Sequence, residues 1–223
     1  VSGYQVKGEA TYSATNIRMA EGLLYFDFQH PGGTITGLSM QVPGLFNLEN
    51  AVAAMAAGVK LGITEPALRR AFSTYLGVRR RFEFVVNRPD CIYMDDYAHH
   101  PEELRACINA ARDLYPDKKI TGIFQPHLYS RTRDLAEGFA NSLSMLDQVW
   151  LLDIYPAREL PIEGVNSRII LDKIALKDKA LVSAQILPDI LRAQKPEILI
   201  TMGAGDIDRL VEPIARILKN QQR

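Results

Sequence analysis

The sequence has few cysteines, no long apolar run and no excess of charge of either sign. Cys91 and Cys107 are the two cysteines among 223 residues, too few and too far apart for a disulfide framework or a zinc knuckle, so both are predicted to fill the core. No apolar run approaches the roughly 18 residues that span a bilayer, and no signal-peptide pattern opens the chain. We therefore expect a cytoplasmic protein without a membrane partner. Lys and Arg number 26, as do Asp and Glu, which gives no electrostatic reason to expect nucleic acid as a partner.

The chain also lacks a P-loop, because the pattern Gly-x-x-x-x-Gly-Lys-Ser/Thr occurs nowhere in it. Gly203 and Gly205 offer two of the three glycines of a dinucleotide fingerprint. They follow the last predicted strand rather than the first, and Asp208 stands where the third glycine belongs. A nicotinamide-dependent dehydrogenase domain is therefore an alternative that the pattern disfavours.

The first part of the chain predicts an antiparallel sheet followed by two helices. Residues 1–43 read as strands, since apolar and polar residues alternate along 24–29 and again further on. The period then becomes helical over residues 47–61, and a second helix runs from the N-cap Thr64 to about Leu76. A β pattern begins at Val1 without an initiator Met, so we expect a piece of a longer protein.

From Cys91 onward, short β-type runs alternate with helical patterns five times. This alternation predicts an α/β fold, a Rossmann-like, doubly wound, mostly parallel sheet, because parallel neighbours need crossover helices. We place the domain boundary between an α+β part, residues 1–85, and the sheet domain, residues 86–223. The predicted strands are 91–94, 120–125, 148–153, 180–183 and 197–202, and the predicted helices are 102–114, 132–146, 167–176, 188–194 and 207–219.

Polar motifs follow four of these five strands. They occupy residues 95–100, 125–131, 155–159 and 203–206, whereas residues 183–185, after the fourth strand, carry little chemistry. Because the carboxyl ends of parallel strands share one edge of a sheet, the four motifs are predicted to converge on one crevice. Such an asymmetry indicates a single ligand site.

The acidic and imidazole groups of residues 95–100 allow several interpretations. Asp95 and Asp96 fit either caps of the following helix or ligand contacts, and two adjacent caps would be redundant. His99 and His100 beside the aspartates suggest a metal site. Consecutive residues on a turn point in different directions, however, and share a metal ion poorly.

Three other groups are candidates for anion or base recognition. Residues 79–81 are three consecutive arginines at the domain junction, which favours anion binding over a solvated basic run. Arg131 and Arg133 open a helix, where the helix dipole does not favour cations, so at least one is expected to meet an anion. Asn47 and Asn50 share one face at a helix start and read either as a cap or as a pair for an adenine-like edge.

Five motifs occur in the order found in the Mur ligases, and the chain resembles that family along essentially its whole length. The resemblance implies the tail of the central ATP-binding domain in residues 1–85 and the whole carboxyl-terminal domain in residues 86–223, with the amino-terminal part of the same enzyme missing. The third and fourth motifs most resemble the branch that joins L-alanine to UDP-N-acetylmuramate. The motifs begin at Gly44-Leu45-Phe46-Asn47, Arg80-Arg81-Phe82, Asp95-Asp96-Tyr97-Ala98-His99-His100-Pro101, Gln125-Pro126-His127-Leu128-Tyr129-Ser130-Arg131 and Gly203-Ala204-Gly205-Asp206.

The resemblance also implies cofactors and roles. ATP activates the substrate carboxylate as an acyl phosphate, which the amine of L-alanine attacks. Mg²⁺ belongs to the full-length enzyme, and its ligands lie in the missing half. This chain alone is therefore expected to be inactive. By motif, Asn50 with Asn47 would meet the adenine, Arg81 the phosphates and Asp96 the ribose. The pocket for the alanine end would be lined by Tyr97, His99 and Arg131, with Arg131 pairing the carboxylate.

Two positions depart from the family pattern. Phe46 stands where many relatives carry His, and Leu128 replaces an Arg often found in the fourth motif, which leaves more of the carboxylate recognition to Arg131. A sister ligase that attaches a recycled peptide to the same sugar nucleotide stays open as an alternative. A non-catalytic binding module is another.

Overall fold

The computed structural model describes residues 3–6, 10–20, 23–42 and 44–221. The chain forms two compact units, residues 1–78 and 79–223, so the predicted division between residues 85 and 86 is placed too late. The reason is that Glu83–Arg88 is a strand of the second sheet. The predicted strand character of residues 1–43 falls in part on residues outside the described ranges.

The first unit contains a four-stranded sheet and two helices, as predicted. In order along the sheet, β1 (Tyr4–Gln5), β2 (Tyr12–Ala20), β3 (Leu23–His30) and β4 (Gly33–Met40) are neighbours; β1 is parallel to β2 and the other pairs are antiparallel. The helices are α1 (Leu45–Lys60) and α2 (Glu65–Thr74). The alternating Leu24, Phe26 and Phe28 of β3 are buried in one cluster with the helical Leu48 and Met55, so the period-2 and helical patterns are confirmed.

The second unit has one six-stranded sheet with helices on its faces. Its strands are β5 (Glu83–Arg88), β6 (Cys91–Asp96), β7 (Ile120–Phe124), β8 (Gln148–Leu151), β9 (Lys179–Leu181) and β10 (Ile198–Met202). Its helices are α3 (Pro101–Leu114), α4 (Tyr129–Leu143), α5 (Arg168–Leu171), α6 (Leu187–Gln194) and α7 (Asp208–Asn220).

The strand order is β5-β6-β10-β7-β8-β9, and all neighbours are parallel except β5 and β6. The predicted doubly wound, mostly parallel sheet is therefore confirmed. Helix α4 contacts α3 and α5, whereas α6 contacts α7, as expected when two groups of crossover helices cover the sheet. Every residue of β6, β7 and β10 is buried, which is typical of central parallel strands.

Two elements differ from the sequence prediction. Strand β5 is not among the predicted strands. It pairs with β6 as an antiparallel edge strand, and a register shift between Phe84 and Val86 breaks the alternation that would have revealed it. The helix predicted at 167–176 is reduced to Arg168–Leu171. Among the described residues, no helix is long and apolar enough to cross a bilayer.

Candidate functional site

The polar loops that follow β6, β7, β8 and β10 do converge at one edge of the second sheet. The Gly203 amide donates to the Asp96 carbonyl at 3.2 Å, which joins the β6 and β10 loops. Gln125 joins β7 to β10, because its Nε2 donates to Asp206 Oδ1 at 2.8 Å and its Oε1 accepts from the Ile207 amide at 2.9 Å. The predicted convergence of these loops is therefore confirmed.

The approach of the β8 and β10 loops is so close that only glycine fits at position 205. A Cβ atom there would lie 2.5 Å from Gln125 Oε1 and 2.6 Å from Cβ of Tyr155. The second conspicuous glycine, Gly203, has a φ of 145°, a backbone conformation that favours glycine. The glycines of this motif thus serve close packing between loops.

Asp95 belongs to a buried network rather than to a ligand-facing surface. Its side chain is fully buried, and Oδ2 accepts from Arg80 Nε at 2.9 Å while Oδ1 accepts from Thr201 Oγ1 at 2.6 Å. Thr201 in turn lies 3.0 Å from the Tyr93 hydroxyl. Burial raises the pKa of Asp95 above its ordinary value, and the hydrogen bonds from Thr201 and Arg80 oppose that shift.

Arg80 is therefore committed to structure, unlike its neighbour Arg81. Besides binding Asp95, Arg80 donates from Nη2 to the Gly203 carbonyl at 2.6 Å. The Arg81 side chain is exposed. Both guanidinium groups lie over the ring of Tyr97, at 5.1 and 5.7 Å from its centroid. Of these two arginines, Arg81 is the one that presents its charge to solvent.

Asp96 holds the backbone on either side of this cluster. Its Oδ2 accepts from the Phe82 amide at 2.7 Å and its Oδ1 from the Ala98 amide at 2.8 Å. The carboxyl group is buried, and burial raises its pKa to about 6, against the effect of these two hydrogen bonds. Arg80 and Phe82 have φ values of 59° and 50°. The Asp96 bond therefore supports a left-handed backbone at Phe82, next to Arg81.

Neither aspartate caps α3, so that interpretation is wrong for both. The N-cap is His100, whose Nδ1 accepts from the Glu102 amide at 3.4 Å. Glu103 completes a capping box by accepting from the His100 amide at 3.2 Å, and the same oxygen accepts from the His99 amide at 2.9 Å. The turn between β6 and α3 is thus fixed by a glutamate that the sequence reasoning did not single out.

A row of four aromatic rings crosses the crevice. The ring centroids are 5.3 Å apart between Tyr97 and His99, 6.2 Å between His99 and His127, and 5.7 Å between His127 and Tyr155. Sequence reasoning named Tyr97 and His99 but missed the other two. Their signal was present, because both lie in motifs that follow strands of the same sheet.

Two buried polar atoms lack hydrogen-bond partners among the described residues, and both lie in the β7 loop and the first turn of α4: Nδ1 of His127 and Nη1 of Arg131. Burial is the largest cause that lowers the pKa of His127, followed by the charge of Arg131. By contrast, Arg133 is exposed and pairs with Asp134 at 2.7 Å. Since buried polar atoms in native proteins are nearly always paired, these two nitrogens make Arg131 and His127 candidates for ligand contact.

The loop from β8 helps to orient Arg131. Glu159 accepts hydrogen bonds from the Ser130 amide, at 2.9 Å, and from the Ser130 hydroxyl. The hydroxyl and the amide lower the pKa of Glu159 below its ordinary value. Leu128, at the N-cap of α4, has a φ of 73° and donates its amide to the Tyr155 carbonyl at 2.9 Å. The start of α4 is therefore bound to the β8 loop at two points.

The remaining candidates lie elsewhere. Asn47 and Asn50 are in α1 of the first unit, where Asn47 is half-buried and Asn50 is exposed. Within the described ranges, no group of three or more His, Cys, Asp or Glu side chains is arranged to hold a metal ion.

Comparison with known proteins gives consistent matches. The family model described as Mur ligase, glutamate ligase domain, matches residues 80–207. A UDP-N-acetylmuramate–L-alanine ligase of Parabacteroides distasonis is 49% identical over 220 residues, covering 99% of this chain and 48% of that protein. The same-named protein of Porphyromonas gingivalis strain W83 is 50% identical over 212 residues, covering 95% and 46%. The chain thus spans about half the length of the curated relatives it matches.

Solved structures show the same fold. The crystal structure of UDP-N-acetylmuramate-alanine ligase from Thermotoga maritima superposes with a TM-score of 0.82 at 24% identity, covering 99% of this chain and 48% of that one. A folylpolyglutamate synthase from Mycobacterium tuberculosis superposes at 0.70 with 16% identity, covering 95% and 48%.

Proposed function

Because the chain belongs to the Mur ligase family, we propose that it is the carboxyl-terminal part of an ATP-dependent ligase that joins L-alanine to UDP-N-acetylmuramate. The reaction belongs to the synthesis of peptidoglycan precursors in the cytoplasm. One observation carries the proposal: a buried guanidinium nitrogen of Arg131, without a partner in the described residues, lies at the crevice where the loops converge. Such a group fits a carboxylate, which an amino acid supplies.

The chemistry requires a nucleotide as well as this crevice. When bound, ATP supplies the phosphoryl group that converts the sugar-nucleotide carboxylate to an acyl phosphate. The 223 residues contain no P-loop. We therefore propose that the P-loop and the ligands of Mg²⁺ lie in a part of the enzyme outside this sequence, and that these residues alone do not ligate alanine.

The amino-acid end is assigned to Tyr97, His99 and Arg131. Arg131 lies in the first turn of α4, where the helix dipole disfavours a cation, and a bound carboxylate would offset that cost. The neighbouring His127 has a pKa lowered chiefly by burial, so it adds no second charge near neutral pH. The aromatic faces of Tyr97 and His99 form the less polar wall beside the carboxylate.

The nucleotide contacts fit these residues unequally. Arg81 fits phosphate, because its exposed cation is held beside Tyr97. Asp96 already uses both oxygens on backbone amides and is only 5% exposed, so a ribose hydroxyl would have to share one of those oxygens. We propose that Asp96 acts mainly by holding Phe82 and hence Arg81. In the first unit, Asn50, with Asn47 one turn before it, is proposed as the adenine contact.

A calorimetric titration with UDP-N-acetylmuramoyl-L-alanine tests the proposal on this chain. Loss of a hydrogen bond to a charged group costs about 1.5–3 kcal/mol, so Arg131→Gln is expected to weaken binding roughly 10- to 150-fold. Arg133→Gln is the matched control, since that side chain is exposed two residues along the same helix. Equal affinity of Arg131→Gln and the unsubstituted chain would remove the basis of the proposal.

The alternatives predict different ligands in the same titration. Seven further relatives beside the Parabacteroides distasonis protein, at 41–50% identity, carry the name of the alanine enzyme, which favours alanine over a recycled peptide. A peptide-attaching ligase should bind the tripeptide-bearing sugar nucleotide at least as well as the alanine product. A dehydrogenase domain should bind NAD, which serves as the negative control.

A further inference from the structure

The ring of His99 is held in one orientation by hydrogen-bond acceptors. Its Nδ1 lies 3.0 Å from the Tyr97 carbonyl oxygen and 3.3 Å from Glu103 Oε2. Both neighbours only accept hydrogen bonds, so Nδ1 of the neutral ring carries the proton and Nε2 carries a lone pair. Glu103 is itself fixed, because the same oxygen accepts from the amides of His99 and His100.

Nε2 of His99 has no hydrogen-bond partner within the described part of the chain, and it is not among the buried unpaired atoms. The His99 side chain is 25% exposed, so this nitrogen is accessible from the crevice. Nε2 of His99 therefore offers a proton acceptor of fixed direction. The neighbouring ring is that of His127, whose pKa is lowered in part by the charge of Arg131.

The carboxylates at this edge are engaged elsewhere. Asp95 is bound by Arg80 and Thr201, and Asp96 by two backbone amides. Glu159 accepts from Ser130, and Asp206 from Gln125.

Two other imidazoles lie on these loops. Nδ1 of His100 accepts from the Glu102 amide as the N-cap of α3, and burial above all lowers the pKa of His127. Nδ1 of His127 is moreover buried. Compared with these described side chains, His99 offers a free and accessible lone pair on Nε2.

We propose that Nε2 of His99 accepts the proton that the amino group of the incoming amino acid must lose, and that Glu103 is the positioning residue that keeps the proton of the neutral ring on Nδ1. This inference rests on the proposed function. An ammonium proton passes to Nε2, and the freed nitrogen lone pair forms the C–N bond to the acyl phosphate. The C–O bond to phosphate then breaks, and the second N–H proton leaves on the phosphate. The amide keeps the third hydrogen, so protons and charge balance.

The arrangement suits an α-amino acid. Arg131 would bind the carboxylate of the amino acid. In an α-amino acid the ammonium group is attached to the carbon next to the carboxylate, so the residues that bind these two charged groups must lie close together. The ring of His127 is 6.2 Å from that of His99, and the charge of Arg131 contributes to the lowered pKa of His127. The step raises the share of the reactive, neutral amine at the place of attack.

Nitrogen-15 NMR of this chain tests the positioning claim directly. With the imidazoles neutral, long-range proton–nitrogen spectra should show the Nδ1–H form of His99 in about tenfold or greater excess, and Glu103→Gln should raise the Nε2–H form severalfold because a charged acceptor is lost. The control is Glu102→Gln, an adjacent exposed carboxylate that pairs with Arg105. Dominance of the Nε2–H form in the unsubstituted chain, or no change in Glu103→Gln, would overturn the inference.

The same spectra separate the inference from the proposed function. Addition of UDP-N-acetylmuramoyl-L-alanine should shift the guanidinium signals of Arg131 and Nε2 of His99. Shifts at Arg131 without one at Nε2 would refute the role of His99 and leave the ligase proposal standing. No shift at either would refute the ligase proposal, while the tautomer measurement on the free chain would still decide the role of Glu103.

A nucleophile test checks the chemistry in the intact enzyme that carries this chain. Hydroxylamine is already unprotonated at neutral pH, so it attacks an acyl phosphate without a base. In His99→Asn, ligation of alanine should fall about 10²- to 10⁴-fold, the usual contribution of a general base, while hydroxamate formation stays within about threefold. Equal losses with both nucleophiles, or no loss with either, would show that His99 does not take the proton.

Discussion

The pair formed by Arg80 and Asp95 should be the most stability-critical ion pair of the second unit. We consider Arg80→Met, which keeps much of the apolar stem and removes the charge. The change leaves Asp95, fully buried, without its cation, and leaves the Gly203 carbonyl without its donor. Thr201 still donates to Asp95, so part of the network survives.

The expected cost follows from the burial of the two side chains. Removing one partner of a buried pair typically costs about 3–5 kcal/mol. Arg80 is 16% exposed and Asp95 0%, and Thr201 remains, so we expect the lower end, about 3 kcal/mol at pH 7. Loss of the cation raises the pKa of Asp95 further above its ordinary value. Protonation then relieves the unpaired charge, and the destabilisation should shrink as the pH falls.

Urea unfolding at pH 7 and pH 5, followed by fluorescence, measures this effect. Trp150, the one tryptophan of the sequence, is buried in β8 and reports on the second unit. Arg105→Met serves as the control, because the Arg105–Glu102 pair is exposed and such pairs contribute about 0–1 kcal/mol. If Arg80→Met and Arg105→Met were equally stable, or if the cost of Arg80→Met did not depend on pH, the reasoning would be refuted.

Two further changes test other parts of the crevice. Burial raises the pKa of Asp96 from 3.8 to about 6, so between those pH values the folded state binds a proton that the unfolded state has lost. The free energy of unfolding should therefore fall by up to about 3 kcal/mol as the pH rises through this range. In urea unfolding from pH 4 to 7, Asp96→Asn should remove that pH dependence. A slope that persists in Asp96→Asn would assign it to another group. Gly205→Ala should destabilise the second unit by about 1–3 kcal/mol in the same assay, since the added methyl must displace Gln125 and Tyr155; an unchanged unfolding midpoint would show that these loops yield without cost.

Much of the second unit was predictable because its signals are local and repeated. Buried runs such as Ile198–Met202 and the helical period of Pro101–Leu114 each indicate their own element, and their alternation indicates a parallel sheet. Strand β5 was not found, because the register shift between Phe84 and Val86 breaks its alternation and because its partner is chosen by tertiary packing. The domain boundary was misplaced for the same reason.

The candidate site was predictable as a place but not as a set of roles. Parallel strands bring their carboxyl ends together whatever the side chains are, so the convergence followed from strand order alone. The left-handed φ values of Arg80 and Phe82 decide which of the two arginines, Arg80 or Arg81, faces solvent. Such values are uncommon in non-glycine residues, so residue preferences do not predict them. The unpaired atoms of His127 and Arg131 are likewise visible only when every neighbour has been placed.

The strained residues of this edge share one physical logic. A left-handed conformation costs a non-glycine residue about 1–2 kcal/mol. Both left-handed residues donate their amide to a carboxylate: Arg80 to Glu83 at 2.8 Å and Phe82 to Asp96 at 2.7 Å. Asp96 bears a desolvation cost in turn, as its raised pKa shows. The residues that bear the strain and the desolvation cost are neighbours of Arg81, the exposed cation. An apolar residue in place of Asp96 would avoid the desolvation cost. The concentration of these costs at one sheet edge is therefore better explained by the positioning of charged groups for a ligand than by the stability of the fold.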